Sequence, residues 1–501
     1  MNVLVVGAGP AGLFAAAELA RHGVRARVVE RAAQPHRQAR ATAIQPGTLE
    51  ILAQVGLLDR VLAESVQLGF ARLFDAQLEQ TAELAFADSG CDWGFQCSLP
   101  QWRTEQILTN RLLELGGAVD HGIEALSLQT LDDEVVARLK GPDGTPETVV
   151  ADWVLGAGGA HSITRESIAE TLLGETYPGL ALVADVRVAC PLPRDGGAVI
   201  ATPAGYVLLS PLPEERWICF IGELALDDRE VEALDQDASA AAVTAAIEHR
   251  VGSRIRVQDV AWAAPFRMHR RVATRLAGDR RFLLGDAGHL SSPFGGEGLN
   301  SGLQDGHNIA WKLALDLKRR ARPGLLESYG SERLAADRHV LEVSDDLHKL
   351  VGDAVESART GIPLQPPPPD QTAALVRARS MVDVSYAGTP LVGQRIGEAE
   401  HHVHPPGPGD RYPDRGSLAG TSHHLLVFGE ADQPSLERLG RRWEGLVEIS
   451  RSPADPRRAG LSGTGAVLVR PDGYIGFRAA PADEAGLAAL DAHLDSYLVP
   501  A

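Results

Sequence analysis

Four cysteines stand among 501 residues: Cys91, Cys97, Cys190 and Cys219. No two are spaced Cys-x-x-Cys, so neither a zinc site nor a disulfide framework is supported. Buried, reduced thiols in a cytoplasmic protein are the reading that remains. Long apolar runs are missing as well. No 18 apolar residues occur without interruption, which excludes a transmembrane helix. Met1-Asn2-Val3-Leu4-Val5-Val6 has no basic region before its apolar residues and no small-residue cleavage site after them, so no signal peptide is expected. Basic residues are in deficit: 48 Lys and Arg against 66 Asp and Glu leave a formal charge of −18. That balance argues against nucleic acid or an anionic membrane as the main partner. Glycine, by contrast, is plentiful at 52 residues, with 31 prolines, yet the share falls short of a disordered or collagen-like chain. The length predicts two to four domains at about 150 residues each.

The glycines are not scattered evenly. Residues 2–6 form a short apolar run of the kind that makes a strand buried on both faces. Gly7-Ala8-Gly9-Pro10-Ala11-Gly12 follows at once, and residues 13–21 read as a helix ended by Gly23. Gly7 permits a tight turn, Gly9 removes a side chain where a pyrophosphate must approach the backbone, and Gly12 lets the helix pack close to the sheet. The helix N-terminus offers N–H groups and a positive dipole to phosphates. The next strand, 25–29, ends at Glu30, which lies 23 residues after Gly7 and suits a carboxylate accepting from a ribose diol. Arg31 beside it is a further cofactor-binding candidate. Strand, G-x-G-x-x-G, helix, strand and terminal acid in this order predict dinucleotide binding without choosing between NAD and FAD.

A second segment makes that choice. Arg281-Phe282-Leu283-Leu284-Gly285-Asp286-Ala287-Gly288-His289 reads as a strand delivering Gly285-Asp286 at its carboxyl end. Pro293-Phe294-Gly295-Gly296-Glu297-Gly298-Leu299-Asn300 follows, then a long helix over 301–319. These residues resemble the flavoprotein aromatic hydroxylases, the FAD monooxygenases that include phenol hydroxylase and the aromatic polyketide hydroxylases. The signature of that family runs G-D-A-x-H, a Pro-containing stretch, G-x-G-x-N-x-G-x-x-D-x-x-N and W-K-L. Here it stands as Gly285-Asp286-Ala287-Gly288-His289, Gly296-Glu297-Gly298-Leu299-Asn300, Gly302, Asp305, Asn308 and Trp311-Lys312-Leu313. The resemblance implies FAD, with Asp286 on its ribityl chain and the Gly298-Leu299-Asn300 backbone along the flavin pyrimidine edge. Pro293 and Gly296 join them as cofactor-binding positions. A helix N-terminus aimed at that edge would stabilise negative charge on a reduced flavin. Arg40 matches the family's arginine near the FAD phosphates, and Gln101 matches a glutamine that contacts the cofactor. His289 is read as structural.

The match has two departures. The family's D-G-x-x-S-x-x-R motif, linked to FAD and NAD(P)H, reads Gly158-Gly159-Ala160-His161-Ser162-Ile163-Thr164-Arg165, so Gly158 stands where the family has Asp. A glycine cannot supply that carboxylate, which questions the efficiency of reduction by NAD(P)H. An Asp of phenol hydroxylase aligns with Thr42, so the catalytic proton acceptor is unknown. Tyr206, Arg187 and Arg267 are pocket candidates against which core and surface roles compete.

The expected fold class is α/β: a Rossmann-like FAD-binding domain, 1–171 and 269–391, interrupted by a mostly antiparallel β substrate-binding domain, 172–268. The segments 205–210 and 216–221, flanking Pro211-Leu212-Pro213-Glu214-Glu215, read as a hairpin. A charged helix over 326–351 closes the FAD domain, a Pro-rich loop follows, and the stretch 377–391 is hard to read, with a return toward the active site as one option. Ala466-Val467-Leu468-Val469-Arg470-Pro471-Asp472-Gly473-Tyr474-Ile475-Gly476-Phe477, with Arg478 after it, resembles the segment ending the thioredoxin-like tail of phenol hydroxylases, so 392–501 is expected to be a thioredoxin-like domain, without Cys-x-x-Cys and therefore without thiol exchange. His401-His402-Val403-His404 near its start reads as a solvated linker. The resemblance implies hydroxylation of a phenolic or polycyclic aromatic (polyketide-type) substrate through a flavin C4a-hydroperoxide, with NAD(P)H and O2 as co-substrates. The competing readings are Baeyer–Villiger or epoxidising chemistry on the same fold, a flavoprotein oxidase, and a non-catalytic flavin-binding protein. A monomer or homodimer is expected, with no metal.

Overall fold

The computed structural model describes residues 1–37, 41–177, 179–224, 227–365, 368–397 and 405–500. A six-stranded sheet runs in the order Ala277–Gly278, Arg281–Leu283, Trp153–Gly156, Val3–Val6, Ala26–Glu30, Val119–His121. Its neighbours are parallel except at the 277–278 edge. Val3–Val6 lies inside it with all four residues buried, as an unbroken apolar run requires. The chain turns at Gly7 into the helix Pro10–Arg21, where Pro10 occupies a position that needs no helical N–H. Gly23, at φ +79°, ends that helix.

A second sheet has seven strands: Arg256–Phe266, Ala181–Ala189, Trp217–Ile221, Gly205–Pro211, Gly196–Thr202, Phe70–Phe74, Gln80–Ala85. It is antiparallel except between Gly196–Thr202 and Phe70–Phe74. The expected hairpin is there, closed by Leu212 N donating to Arg216 O at 2.8 Å. Two strands differ from the sequence-based expectation. Phe70–Phe74 and Gln80–Ala85 come from the stretch assigned to the dinucleotide-binding segment, yet they complete this sheet. A parallel pairing between segments so distant in the chain leaves no local pattern to read. The chain enters and leaves the sheet through Leu172–Thr176 and His269–Ala273, which pair with each other.

The helix Ser328–Thr360 is longer than expected, 33 residues in one piece. Its Val343, Leu347, Val351 and Ala354, at helical spacing, share a core with Ala201 and Tyr206 of the seven-stranded sheet. The carboxy-terminal sheet runs Gly393–Ile396, Ile475–Ala480, Gly465–Val469, His423–Phe428, Val447–Arg451. His423–Phe428 is parallel to Val447–Arg451 and antiparallel to Gly465–Val469, with the helices Gln433–Arg442 and Glu484–Tyr497 completing the unit. The segment 401–404 lies outside the described residues. No helix among the described residues is long and apolar enough to cross a membrane.

Buried charges join this last unit to the rest. Lys312 and Asn308, on the helix Gly298–Leu317, donate to Glu332 Oε2 at 2.7 and 2.8 Å. Arg470 donates to both oxygens of Glu332, at 2.6 and 2.9 Å, and also to Asp472. Trp311 Nε1 donates to Asp472 at 3.2 Å. Lys312, Glu332 and Arg470 have no exposed side-chain surface. Two cations face two carboxylates, so the cluster is neutral only while complete, and removing one member of a buried ion cluster strands the others. Glu332→Ala is expected to lower stability by about 3 to 5 kcal/mol and to make the carboxy-terminal unit sensitive to limited proteolysis. Urea denaturation checks the first effect; a shift below about 1 kcal/mol would mean that the cluster does not hold the units together.

Candidate functional site

One cavity of about 1080 Å³ lies where the two sheets meet. Its wall includes Gly9, Pro10 and Ala11 from the first turn, Thr42 and Ala43, Gly159 and Ala160, Gly285 and Asp286, and the stretch 291–296 with Gly298 and Leu299. The opposite side is largely apolar: Val199, Leu208, Phe220 and Phe266 of the seven-stranded sheet, and Leu347 and Val351 of the long helix.

The three glycines of the first turn separate by what surrounds them. A Cβ on Gly7 would lie 2.3 Å from Ala157 O, and one on Gly12 would lie 2.1 Å from Gly7 O. Both are required by the protein's own backbone. A Cβ on Gly9 would meet nothing within 4 Å, and Gly9 faces the cavity. Its missing side chain leaves room for a group that is not protein, as a phosphate cradle at a helix N-terminus requires.

Glu30 is half-buried and braces the turn: its Oε2 accepts from Ala8 N at 2.9 Å and its Oε1 from Ala32 N at 2.9 Å. Neither Glu30 nor Arg31 lines the cavity, and Arg31 is exposed. Arg40 lies outside the described residues, although Ala41 and Thr42 beside it belong to the wall. Gln101 lines the cavity and donates from Nε2 to Glu105 Oε1 at 2.8 Å. Burial pushes the Glu105 carboxyl up to about 6.

Asp286 is exposed at the wall, in the turn Gly285–Ala287 that follows Arg281–Leu283. Asp305 fixes that turn from below, accepting from Gly285 N at 2.8 Å while pairing with His289 Nε2 at 2.8 Å and with Arg333 Nε at 2.7 Å. His289 is buried; burial opposes its charge, but Asp337 and Asp305 raise its pKa. The side chain of Asn300 likewise faces protein. It donates to Ala43 O at 2.9 Å and Gly296 O at 2.7 Å and accepts from Gln45 N at 2.8 Å. Gly296, at φ +68°, lies so close that an added Cβ would come within 2.7 Å of Ala43 Cβ. Pro293, Gly296, Gly298 and Leu299 themselves face the cavity.

Arg165 ties the 157–161 turn to the Asp286 turn, donating to Ala287 O at 3.1 Å and Ala160 O at 2.6 Å. Of the pocket candidates, Arg267 lines the cavity and pairs with Glu232. Tyr206 is a core residue whose hydroxyl donates to Met268 Sδ, and Arg187 donates to Glu214 O on the exterior. The wall also holds Thr42, His269 and Arg379. Arg379 ends the helix Pro369–Arg379, and the chain beyond it returns against the helix Pro46–Gln54 through Gly47 N to Ser380 O, 2.8 Å.

Comparison with known proteins agrees with this geometry. Residues 1–344 match the FAD binding domain family, and residues 389–500 match the aromatic-ring hydroxylase C-terminal family. The 6-methylpretetramide 4-monooxygenase of Streptomyces rimosus is 31% identical, over 100% of this chain and 94% of its own. An anhydrotetracycline hydroxylase structure from Streptomyces rimosus superposes with a TM-score of 0.78 at 30% identity, over 100% of this chain and 99% of its own. A ternary complex of aklavinone-11 hydroxylase with FAD and aklavinone superposes with a TM-score of 0.81 at 26% identity, over 98% of each chain.

One residue of the glycine-rich loop stands apart. Glu297 is wholly buried, its carboxylate fills the place a Gly295 Cβ would take, and neither oxygen finds a hydrogen-bond partner among the described residues. Burial pushes its pKa up to about 7, with Arg379 pulling the other way. In the unfolded chain the carboxyl gives up its proton near 4.5; in the folded chain it keeps it until about 7. Stability therefore falls as pH rises across that window and stays lower above it. Glu297→Gln keeps the shape without the proton. Its stability relative to the parent protein is expected to improve by about 2 to 3 kcal/mol between about pH 5 and about pH 8, read by urea denaturation. An unchanging difference would refute the assignment.

Proposed function

The chain belongs to the FAD-dependent aromatic hydroxylases, and from that premise we propose that it hydroxylates a phenolic or polycyclic aromatic, polyketide-type substrate, using O2 and NAD(P)H. One observation carries the reading: both cofactor motifs and the apolar side of the seven-stranded sheet open onto the same cavity. FAD, when bound, supplies acceptance of electrons from NAD(P)H and activation of O2.

The chain's own residues would bind, orient and exclude water. Gly9 and the first turn of Pro10–Arg21 would take the phosphates. Each oxygen of Glu30 accepts one backbone N–H and keeps a lone pair for a ribose hydroxyl. Asp286 would bind the ribityl chain. Pro293, Gly296, Gly298 and Leu299 would present backbone to the ring system, with the side chain of Asn300 holding that loop rather than touching the cofactor. Gln101 is available through its amide, and Arg40 and Arg31 stay in the assignment on their motif positions alone. Leu208, Phe220, Phe266 and Phe294 would keep the reacting end dry, as a water-sensitive oxygenating site needs.

The carboxy-terminal unit is thioredoxin-like in the same reading. Its strand order and the two helices support this, and without Cys-x-x-Cys its part is packing. The division into 1–171 with 269–391, 172–268 and 392–501 is retained, with 70–85 lent to the substrate sheet. The reading also holds that the protein works in the cytoplasm as a monomer or homodimer.

Mass spectrometry of products formed under ¹⁸O2 tests the function. A hydroxylated aromatic carrying one labelled oxygen is expected; a lactone or epoxide, or hydrogen peroxide with no oxygenated product, would replace the reading. Gly158 gives a second test. A Cβ there would meet nothing closer than 3.7 Å, so a side chain can begin at this position without a clash. Gly158→Asp is expected to leave flavin content unchanged and to speed flavin reduction by NAD(P)H several-fold, measured by anaerobic stopped flow. An unaltered rate would show that this departure from the family motif is harmless.

A further inference from the structure

Three arginines line the cavity among the described residues: Arg72, Arg267 and Arg379. Arg72 is held by Glu83 at 2.7 Å and by Asp195 at 2.6 Å, and Arg267 by Glu232. Arg379 has no such partner. It is half-buried, it makes no hydrogen bond or ion pair with any described residue, and its Nε is buried without an acceptor. Its guanidinium lies over the Phe86 ring, with Cζ 5.3 Å from the centroid.

A guanidinium cannot shed its proton to escape such a place. The charged group acting on it is Glu297, which lies beyond ion-pair distance. Glu297 is itself divided between its two protonation states near neutral pH, so it offsets the guanidinium only in part. The apolar cavity wall thus carries a positive charge that no described residue pairs with directly, and its planar donor fork suits a delocalised oxyanion.

We propose that Arg379 receives an anionic oxygen of the substrate, a ring carboxylate or the oxyanion of an acidic ring hydroxyl, and thereby selects for anionic polycyclic aromatics. This rests on the hydroxylase reading only for where the substrate lies. The position is anchored: Ser380 and Met381, which follow Arg379, lie against Gly47, where a Cβ would come within 2.4 Å of Met381 O.

Binding to the FAD-loaded protein, read from the flavin difference spectrum, tests the proposal without turnover. Two matched pairs serve as probes: anthraquinone-2-carboxylate with its isosteric carboxamide, and 2-hydroxyanthraquinone, above its hydroxyl pKa, with its neutral methyl ether. In at least one pair the anion is expected to bind tenfold tighter or more, consistent with a charge-assisted hydrogen bond. A preference in the first pair assigns a carboxylate, and one in the second an aryloxide. Arg379→Gln is expected to abolish the preference and Arg379→Lys to retain part of it, with flavin content and circular dichroism confirming that each variant is folded. Equal binding within both pairs, no binding of either anion at millimolar concentration, or a preference that survives in Arg379→Gln would each overturn the proposal. A protein that binds the anion through Arg379 yet forms no oxygenated product would instead sink the hydroxylase reading and leave this one standing.

Discussion

Two helices come within backbone contact only where side chains are absent, and the geometry of the site hangs on one such approach. Pro10–Arg21 and Gly298–Leu317 meet through Ala11 and Ala15 on one side and Gly302 and Gly306 on the other. A Cβ on Gly302 would stand 3.1 Å from Ala11 Cβ, and one on Gly306 would stand 3.1 Å from Ala15 N. Gly285, in the Asp286 turn, is under the same constraint, with Ala11 Cβ 3.2 Å from where its own Cβ would be. The phosphate-side turn, the Asp286 turn and the start of Gly298–Leu317 are therefore held together by close contact, to which Asp305 adds a hydrogen bond from Gly285 N. A dinucleotide that must touch all three needs their spacing fixed before it arrives, and close-packed interiors have little compliance to offer.

The same helix carries that order to its other end. Gly298 and Leu299 face the cavity, Asp305 holds the Gly285 turn, and Asn308, Trp311 and Lys312 reach the Glu332, Arg470 and Asp472 cluster. A second buried contact runs parallel to it: Glu50, on Pro46–Gln54, accepts from Arg415 Nε at 2.9 Å and pairs with Arg411. The carboxy-terminal unit is thus gripped by charges at two places, one reached by Gly298–Leu317, whose first residues face the cavity, and one on Pro46–Gln54, which follows the cavity-lining Thr42 and Ala43. Buried ion clusters contribute little net stability compared with apolar packing, but they tolerate only one arrangement. This gives a unit with no redox thiols a physical role, that of fixing the helices on which the cofactor loops are mounted.

What was legible in the sequence follows the range of the physical constraint. Gly7, Gly9, Gly12 and Gly296 were readable because a turn or a close approach excludes side chains locally. The strand Val3–Val6 and the 205–221 hairpin were readable from short-range pattern. Phe70–Phe74 was not, because its parallel partner Gly196–Thr202 lies far along the chain and nothing nearby marks the pairing. Asn300 was read through its backbone, as part of the cofactor loop; it stands in the first turn of Gly298–Leu317 and its side chain acts on Ala43 and Gln45, a pairing no spacing reveals. Glu297 occupies a variable position of its motif, so the motif says nothing of it. Arg379 ends a helix behind a proline-rich loop, and only the return of 380–381 onto Gly47 brings it to the cavity.

Electrostatics looks different from inside than from the composition. A formal charge of −18 is a property of the chain as a whole and says little about the inside of the cavity. The deeply buried cations Arg333, Arg470, Arg415 and Lys312 are each committed to carboxylates, and none of them lines the cavity. Among the described residues, what remains positive at the cavity wall is the start of Pro10–Arg21, the start of Gly298–Leu317 and the guanidinium of Arg379. Helix termini favour anions without themselves requiring one, since water can satisfy their N–H groups. A guanidinium beside apolar walls has no such alternative once ligand displaces the water, so at that point of the cavity the demand for an anion passes from the cofactor's binding elements to the substrate.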